Sequence, residues 1–256
     1  MAEIKQIAEI ESQQQLLSDV YSMWIAGEQI AVTAKPGQFL SLYPKDASKL
    51  LPRPISICEV DKKAGRIRLV YRVVGGGTEE FSGYRAGDEI TVMGPLGNGF
   101  PMDFPDKKAF LIGGGIGIPP MLELAKQLKC EKQMILGYRD QLFLREEFEA
   151  YGKVYLATED GSSGTKGNVL DAISEHHLSA DVIFACGPTP MLRAIKAYAK
   201  EHRIECYLSL EEKMACGIGA CLACVCQSME IDAHSRVHNK RICKDGPVFR
   251  AEEVEL

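Results

Sequence analysis

The alternation of apolar and polar positions changes character twice along the chain. Over the first hundred residues it takes the form of short runs separated by Gly and Pro turns. The clearest is Arg66 to Val73, where Ile67, Leu69, Tyr71 and Val73 share one face and Arg66, Arg68 and Arg72 largely the other, the period of two of a half-buried strand. Similar runs at Gln38 to Tyr43, Ile55 to Val60 and Glu89 to Met93 predict a small antiparallel β-barrel. From about Lys107 strands alternate with helices. Ala109 to Ile112 leads through a Gly-rich turn into a helix over Met121 to Leu128. Strands follow at Gln133 to Tyr138, Val154 to Thr158 and Val182 to Ala185, and helices near Leu144 to Ala150, Val169 to Glu175 and Met191 to Ala199. That order predicts an α/β, Rossmann-like parallel sheet covered on both faces. After about Cys206 the chain is cysteine-rich and too short to stabilise itself by apolar burial, so it needs a cluster to fold. The reading is a multidomain chain divided at 1–102, 103–205 and 206–256.

Composition narrows the function. With 256 residues, 46% hydrophobic, 25% charged and a formal net charge of −5, this is an ordinary soluble globular chain with room for more than one core. No dominant basic run supplies the clustered Lys and Arg of a nucleic-acid surface. The first ten residues lack an apolar signal-peptide core, and the apolar stretch Ala109 to Ala125 is interrupted by four glycines and two prolines. No membrane span and a cytoplasmic location are therefore expected.

Nine cysteines are present, five of them between Cys216 and Cys243, which favours a localised metal site over a spread disulfide framework. Cys216, Cys221 and Cys224 give C-x4-C-x2-C, and Cys243 completes a set of four. This is the plant-type [2Fe-2S] spacing, three ligands from one tight loop and one from a neighbouring segment. The small residues Gly217, Ile218, Gly219 and Ala220 let backbone amides turn toward cluster sulfurs. A structural zinc site is the rival, but the chain has only one of the two C-x2-C steps that zinc ribbons use. Cys226 reads as packing outside the ligand set, and Cys58, Cys130 and Cys206 as inert thiols.

The run Gly113-Gly114-Gly115-Ile116-Gly117-Ile118-Pro119-Pro120 joins a strand to a helix, where a phosphate can approach backbone amides. The strict G-x-G-x-x-G pattern is absent, and the prolines occupy the helix start, where their missing N–H groups matter least. Taken alone this loop reads equally as a tight structural turn. Cys186-Gly187-Pro188 also follows a strand, at the edge where ligands of open α/β sheets bind, and no His at useful spacing makes Cys186 a hydrolytic nucleophile. In the barrel, Arg53-Pro54-Ile55-Ser56 offers a guanidinium for phosphate and a hydroxyl for a flavin ring nitrogen. Gly75-Gly76-Gly77-Thr78 precedes a short helix and could cradle a pyrophosphate.

Through Arg53-Pro54-Ile55-Ser56, Gly77-Thr78, the GGGIGIPP loop and Cys186-Gly187-Pro188, nearly the whole chain resembles the ferredoxin-NADP reductase superfamily. Ser209 to Cys224 and the closing Cys243-Lys-Asp-Gly-Pro-Val-Phe249 are more closely similar to the electron-transfer subunits of B-type, NAD-dependent bacterial dihydroorotate dehydrogenases. The resemblance implies that Arg53, Pro54, Ile55, Ser56, Val70, Tyr71, Arg72, Gly77 and Thr78 contact FAD. It implies that Gly113, Gly114, Gly115 and Gly117 with Cys186, Gly187 and Pro188 receive NAD, and that Cys216, Cys221, Cys224 and Cys243 hold the [2Fe-2S] cluster. The superfamily commonly has an aromatic residue before the serine of its flavin motif, where this chain has Ile55.

The implied function is an oxidoreductase's electron relay in pyrimidine biosynthesis. An FMN-containing catalytic partner, assembled with this flavoprotein as a heterotetramer of two copies each, would oxidise dihydroorotate and pass electrons through cluster and FAD to NAD+. No catalytic base for dihydroorotate is evident in this chain, so none of its side chains is assigned to that chemistry. The rivals are the flavin and iron-sulfur subunit of an NADH-dependent ferredoxin reductase or sulfhydrogenase, and a zinc-stabilised nucleotide sensor. Arg139 suits a 2′-phosphate and Asp140 repels one, so the preference for NAD over NADP comes from the resemblance.

Overall fold

The computed structural model describes residues 4–231 and 236–256. Six antiparallel strands close into a barrel in the order β1-β2-β5-β4-β3-β6. They are β1 (Ile4–Leu17), β2 (Val20–Ala26), β3 (Phe39–Tyr43), β4 (Arg53–Asp61), β5 (Arg66–Arg72) and β6 (Glu89–Leu96), with helices α1 (Glu28–Thr33) and α2 (Gly76–Ser82) between them. Closure leaves no open edge. Ile10, Met23, Leu40, Leu42, Ile57, Ile67, Leu69 and Tyr71 point inward as its core.

The second unit runs β7 (Lys108–Gly114), a 3-10 turn (Gly115–Gly117), α3 (Pro119–Gln127), β8 (Glu131–Tyr138), α4 (Arg145–Glu149), β9 (Lys153–Thr158), β10 (Thr165–Lys166), α5 (Val169–Glu175), β11 (Val182–Cys186), α6 (Thr189–His202) and β12 (Glu205–Ser209). Its central strands are continuous apolar runs because helices cover both faces. Helix α3 opens on Pro119 and Pro120, as the sequence implied. Helix α5 is started by Asn168, whose side chain accepts from the Leu170 amide at 2.8 Å while Asp171 accepts from the Asn168 amide at 2.7 Å, a reciprocal capping box.

The last segment forms the hairpin β13 (Val225–Gln227) and β14 (Asn239–Arg241), then β15 (Val248–Arg250). β15 pairs antiparallel with β12, so the sheet order is β10-β9-β8-β7-β11-β12-β15. The cysteine-rich tail is thereby fastened to the α/β sheet by strand pairing. It also shares a core with the barrel, where Phe39 and Leu96 pack with Cys224, Ile242, Cys243 and Phe249.

One expectation is corrected. The period of two over β5 predicts a half-buried strand, yet Arg68 and Val70 on its second face are buried as well. The α/β unit covers that face. Arg68 donates to Ser22 Oγ at 2.8 Å and to Glu147 Oε1 of α4 at 3.0 Å, so its charge is paired rather than solvated.

Glu123 of α3 sits in the same joint, 1% exposed, and its Oε2 accepts from the Val60 amide of β4 at 2.8 Å. Burial pushes its carboxyl above the ordinary range, against the hydrogen bonds from Gln127 and Val60 and the charge of Lys126. Glu123→Ala strands the Val60 amide and should cost roughly 1–3 kcal/mol in urea unfolding. Because the folded carboxyl holds its proton more tightly than the unfolded one, this residue's contribution falls as pH rises from acidic toward neutral. Glu123→Gln should flatten that dependence while keeping an acceptor for Val60.

Candidate functional site

A cleft of about 920 Å³ opens where barrel, α/β unit and tail meet. From the barrel it is lined by Arg53, Pro54, Ile55 and Ser56 of β4, Val70, Tyr71 and Arg72 at the end of β5, and Thr78 of α2. Eight of the nine residues expected at the flavin thus surround one space. Gly77, the ninth, lies behind Arg53, where a Cβ would stand 2.4 Å from its Nε, so glycine is what lets the guanidinium lie against α2. Thr78 Oγ1 accepts from the Val74 amide at 3.0 Å and thereby fixes the glycine turn.

From the α/β unit only Gly117 and Cys186 of the expected nucleotide residues reach the cleft, with Ile116 beside them. Gly113 and Gly114 belong to buried β7, and a Cβ there would stand 2.9 Å from Ile118 Cα and 2.5 Å from Met191 Sδ, respectively. Gly115 stands in open space with φ +53°, and Gly187 and Pro188 stand outside the lining. Gly117 is where the two loops touch. A Cβ on it would come within 2.4 Å of the Cys186 carbonyl oxygen. Burial pushes the Cys186 thiol up to about 12, with Ser209 opposing and Glu211 adding to the rise, so it stays protonated at neutral pH and is no nucleophile.

The third wall was not foreseen. Ser209 to Met214 follow β12 into the cleft, and Pro247, Phe39 and the segment Ser48–Pro52 complete it. Leu50, Leu51 and Val74 expose large apolar side chains at its rim. Met214 stands two residues before Cys216, so the cleft wall runs directly into the cysteine loop.

The structure brings the four expected cysteines together as two pairs, Cys216 beside Cys221 and Cys243 beside Cys224. The first pair lies toward solvent, and the second is buried, each cysteine 2% exposed. Backbone amides point at the sulfurs. Ile218 and Ala220 donate to Cys216 at 3.4 and 3.3 Å, Gly219 donates to Cys243 at 3.1 Å, and the Cys243 amide donates to Cys224 at 3.4 Å. Gly217 and Gly219 adopt φ of +72° and +84° to turn the loop this way, a conformation other residues take at a cost. At Cys216 burial raises the thiol, but the amides of Ile218, Cys221 and Ala220 and the Cys221 side chain outweigh it and bring it to about 7. Burial and the neighbouring Cys224 push Cys243 up to about 12.

Among the described residues no three ligating side chains converge as one metal ion requires. Four thiolates can serve either one zinc ion or a two-iron cluster, which takes two cysteines on each iron. The paired arrangement and its amide donors fit the cluster. Cys226 in β13 packs against the shared core, apart from the ligand set.

Comparisons with known proteins agree with this geometry. The iron-sulfur cluster binding domain of dihydroorotate dehydrogenase B matches residues 211–255, and the oxidoreductase NAD-binding domain matches residues 111–197. A protein of Bacillus velezensis named dihydroorotate dehydrogenase B (NAD(+)), electron transfer subunit, is 46% identical, covering 96% of this chain and 97% of that protein. The Listeria monocytogenes protein of the same name is 47% identical over 95% and 96%. Among solved structures, the NADH-dependent reduced ferredoxin-NADP oxidoreductase studied for flavin-based electron bifurcation superposes with a TM-score of 0.87 at 31% identity. That match covers 97% of this chain and 89% of that one. The ferredoxin reductase of carbazole 1,9a-dioxygenase, at 19% identity and a TM-score of 0.68 over 80% and 67%, shares the fold. With three walls of one cleft, four paired cysteines and near-full-length relatives in agreement, the chain belongs to the family of electron transfer subunits of NAD(+)-type dihydroorotate dehydrogenase B.

Proposed function

We propose that this chain carries electrons between a catalytic partner and NAD+, completing the oxidation of dihydroorotate to orotate in pyrimidine biosynthesis. The observation that carries the reading is the continuity of the cleft wall, Ser209 to Met214, with the Cys216 loop. When bound, FAD and a [2Fe-2S] cluster supply the conversion between single electrons and the hydride that nicotinamide accepts. The chain's residues do the rest. Arg53 and Arg72 offer charge to the flavin phosphates and Ser56 a hydroxyl to the ring. The apolar rim of Leu50, Leu51 and Val74 excludes water from the bound flavin. Gly117 and Cys186 bring the two loops into contact at the cleft, where the nicotinamide would be presented to the flavin, and Cys216, Cys221, Cys224 and Cys243 hold the irons. In this reading residues 1–102, 103–205 and 206–256 serve flavin, nucleotide and cluster.

The partner reading has its own support. The tail exposes Ile218, Leu222, Val225, Met229, Ile231 and Val237, more large apolar side chains than the other described residues together, which expose Ile7, Val32, Leu50, Leu51 and Val74. Exposed apolar side chains in the segment that carries the solvent-facing cysteine pair suit a protein partner that must deliver electrons there. We assign it to the FMN-bearing catalytic subunit, in an assembly of two copies of each. No helix among the described residues is long and apolar enough to cross a membrane, in keeping with a cytoplasmic complex.

The test is a visible spectrum of the anaerobic protein before and after NADH, with iron and sulfide assayed on the same sample. Flavin and cluster bands that bleach together, at about two irons per chain, support the relay. A flavin spectrum without iron removes the cluster, and orotate formed by the loaded chain alone overturns the division of labour.

A further inference from the structure

The outward face of β3 forms the ground between the flavin cleft and the cysteine loop. Leu40 and Leu42 point into the barrel core, while Phe39, Ser41 and Tyr43 alternate outward, the period of two of a strand. Phe39 lines the cleft. The Tyr43 hydroxyl approaches Met93 Sδ at 3.9 Å. Ser41 stands between them, 1% exposed, and its Oγ has no hydrogen-bond partner among the described residues. A buried hydroxyl without a partner is rare and calls for an acceptor at the site. The nearest structure is the cysteine loop: a Cβ on Gly217 would stand 2.8 Å from Ser41 Oγ. The loop therefore approaches this hydroxyl as closely as glycine permits, next to Cys216.

We infer that Ser41 donates its hydroxyl hydrogen bond to a sulfur of the cluster held by the Cys216–Cys221 loop, and so raises the cluster's reduction potential relative to the flavin. Cysteine sulfurs gain negative charge when the cluster takes up an electron, and a donor fixed beside them stabilises that state. The amides of Ile218 and Ala220 already serve Cys216 from within the loop. Ser41 adds a donor from a different part of the fold, so that docking of the tail on the barrel and the cluster's affinity for electrons are set by one contact. The inference rests on the four cysteines holding a [2Fe-2S] cluster.

The experiment is an EPR-monitored redox titration of the full chain as Ser41→Ala and Ser41→Thr, with the flavin couple followed optically in the same sample. Removing the hydroxyl should shift electron sharing between cluster and flavin about tenfold toward the flavin, which for a one-electron couple is about 59 mV more negative at the cluster. The flavin couple should stay in place and threonine should restore the native value. A loaded alanine chain whose cluster potential is unmoved overturns the inference, as does a shift confined to the flavin. An alanine chain that fails to load iron is replaced by Ser41→Gly, which removes the hydroxyl without adding volume, and the same two readings apply. Native protein without iron instead overturns the cluster assignment on which the inference stands.

Discussion

A Cys224→Ser chain keeps its flavin and loses its iron. Cys224 is 2% exposed and packs in the core that joins barrel and tail, and its sulfur accepts from the Cys243 amide at 3.4 Å. Serine places a smaller, harder oxygen where a thiolate is needed, and the buried pair with Cys243 can no longer hold one of the two irons. We expect iron content to fall at least about tenfold. Electron transfer between NAD+ and the partner should fall in proportion, because the proposed relay runs through the cluster. NADH-driven reduction of an artificial acceptor should survive, since Arg53 to Ser56 and the Gly117–Cys186 contact lie in other elements. Metal analysis and EPR read the first effect, and a ferricyanide assay reads the second. Native iron content in this variant would remove Cys224 from the ligand set.

The contrast between that site and the cleft explains what the sequence discloses. Three of the four cysteines lie within nine residues, so the loop geometry is local and its spacing carries the chemistry. Arg53 to Ser56 stand out as a guanidinium and a hydroxyl in one short run, whereas Val70 to Arg72 are named for the flavin only through the resemblance; the structure places both on one cleft. The third wall is not legible. Ser209 to Met214 and Pro247 come together because β12 and β15 pair antiparallel, with the Leu210 amide donating to the Pro247 oxygen at 2.9 Å. No periodicity in a three-residue strand announces such a partner. The first two barrel strands escaped for another reason: β1 buries only Ala8 and Ile10 of its 14 residues, too few to stand out against its glutamines and glutamates. Arg68 misled because a charge on the second face of a strand reads as solvated until Glu147 and Ser22 are brought against it. Ser41 belongs with these, an ordinary strand serine until the tail closes over it.

The second large effect expected is at Gly117. In a Gly117→Ala chain the new methyl would meet the Cys186 oxygen at 2.4 Å, the Cys186 carbonyl carbon at 2.5 Å and the Gly187 nitrogen at 2.6 Å. All three atoms are backbone of the facing loop, so no side chain can rotate away. Gly117 has no positive φ, so the cost comes from contact and the two loops must separate. A displacement on the order of 1 Å at a reacting centre can cost about 100-fold in rate, and that is the fall expected for flavin bleaching by NADH in stopped-flow absorbance. Flavin and iron content should remain native, because the atoms that the methyl would meet first belong to neither the Arg53 segment nor the cysteine loop. Gly115→Ala is the control. It has φ +53° and open space around its Cβ position, so it should cost about 1–2 kcal/mol of stability and leave the loops in register. Native bleaching in Gly117→Ala would mean that nicotinamide is not positioned by this contact. Slow bleaching in Gly117→Ala alone would fix the Gly117–Cys186 contact as the point where the α/β unit presents the nucleotide to the flavin.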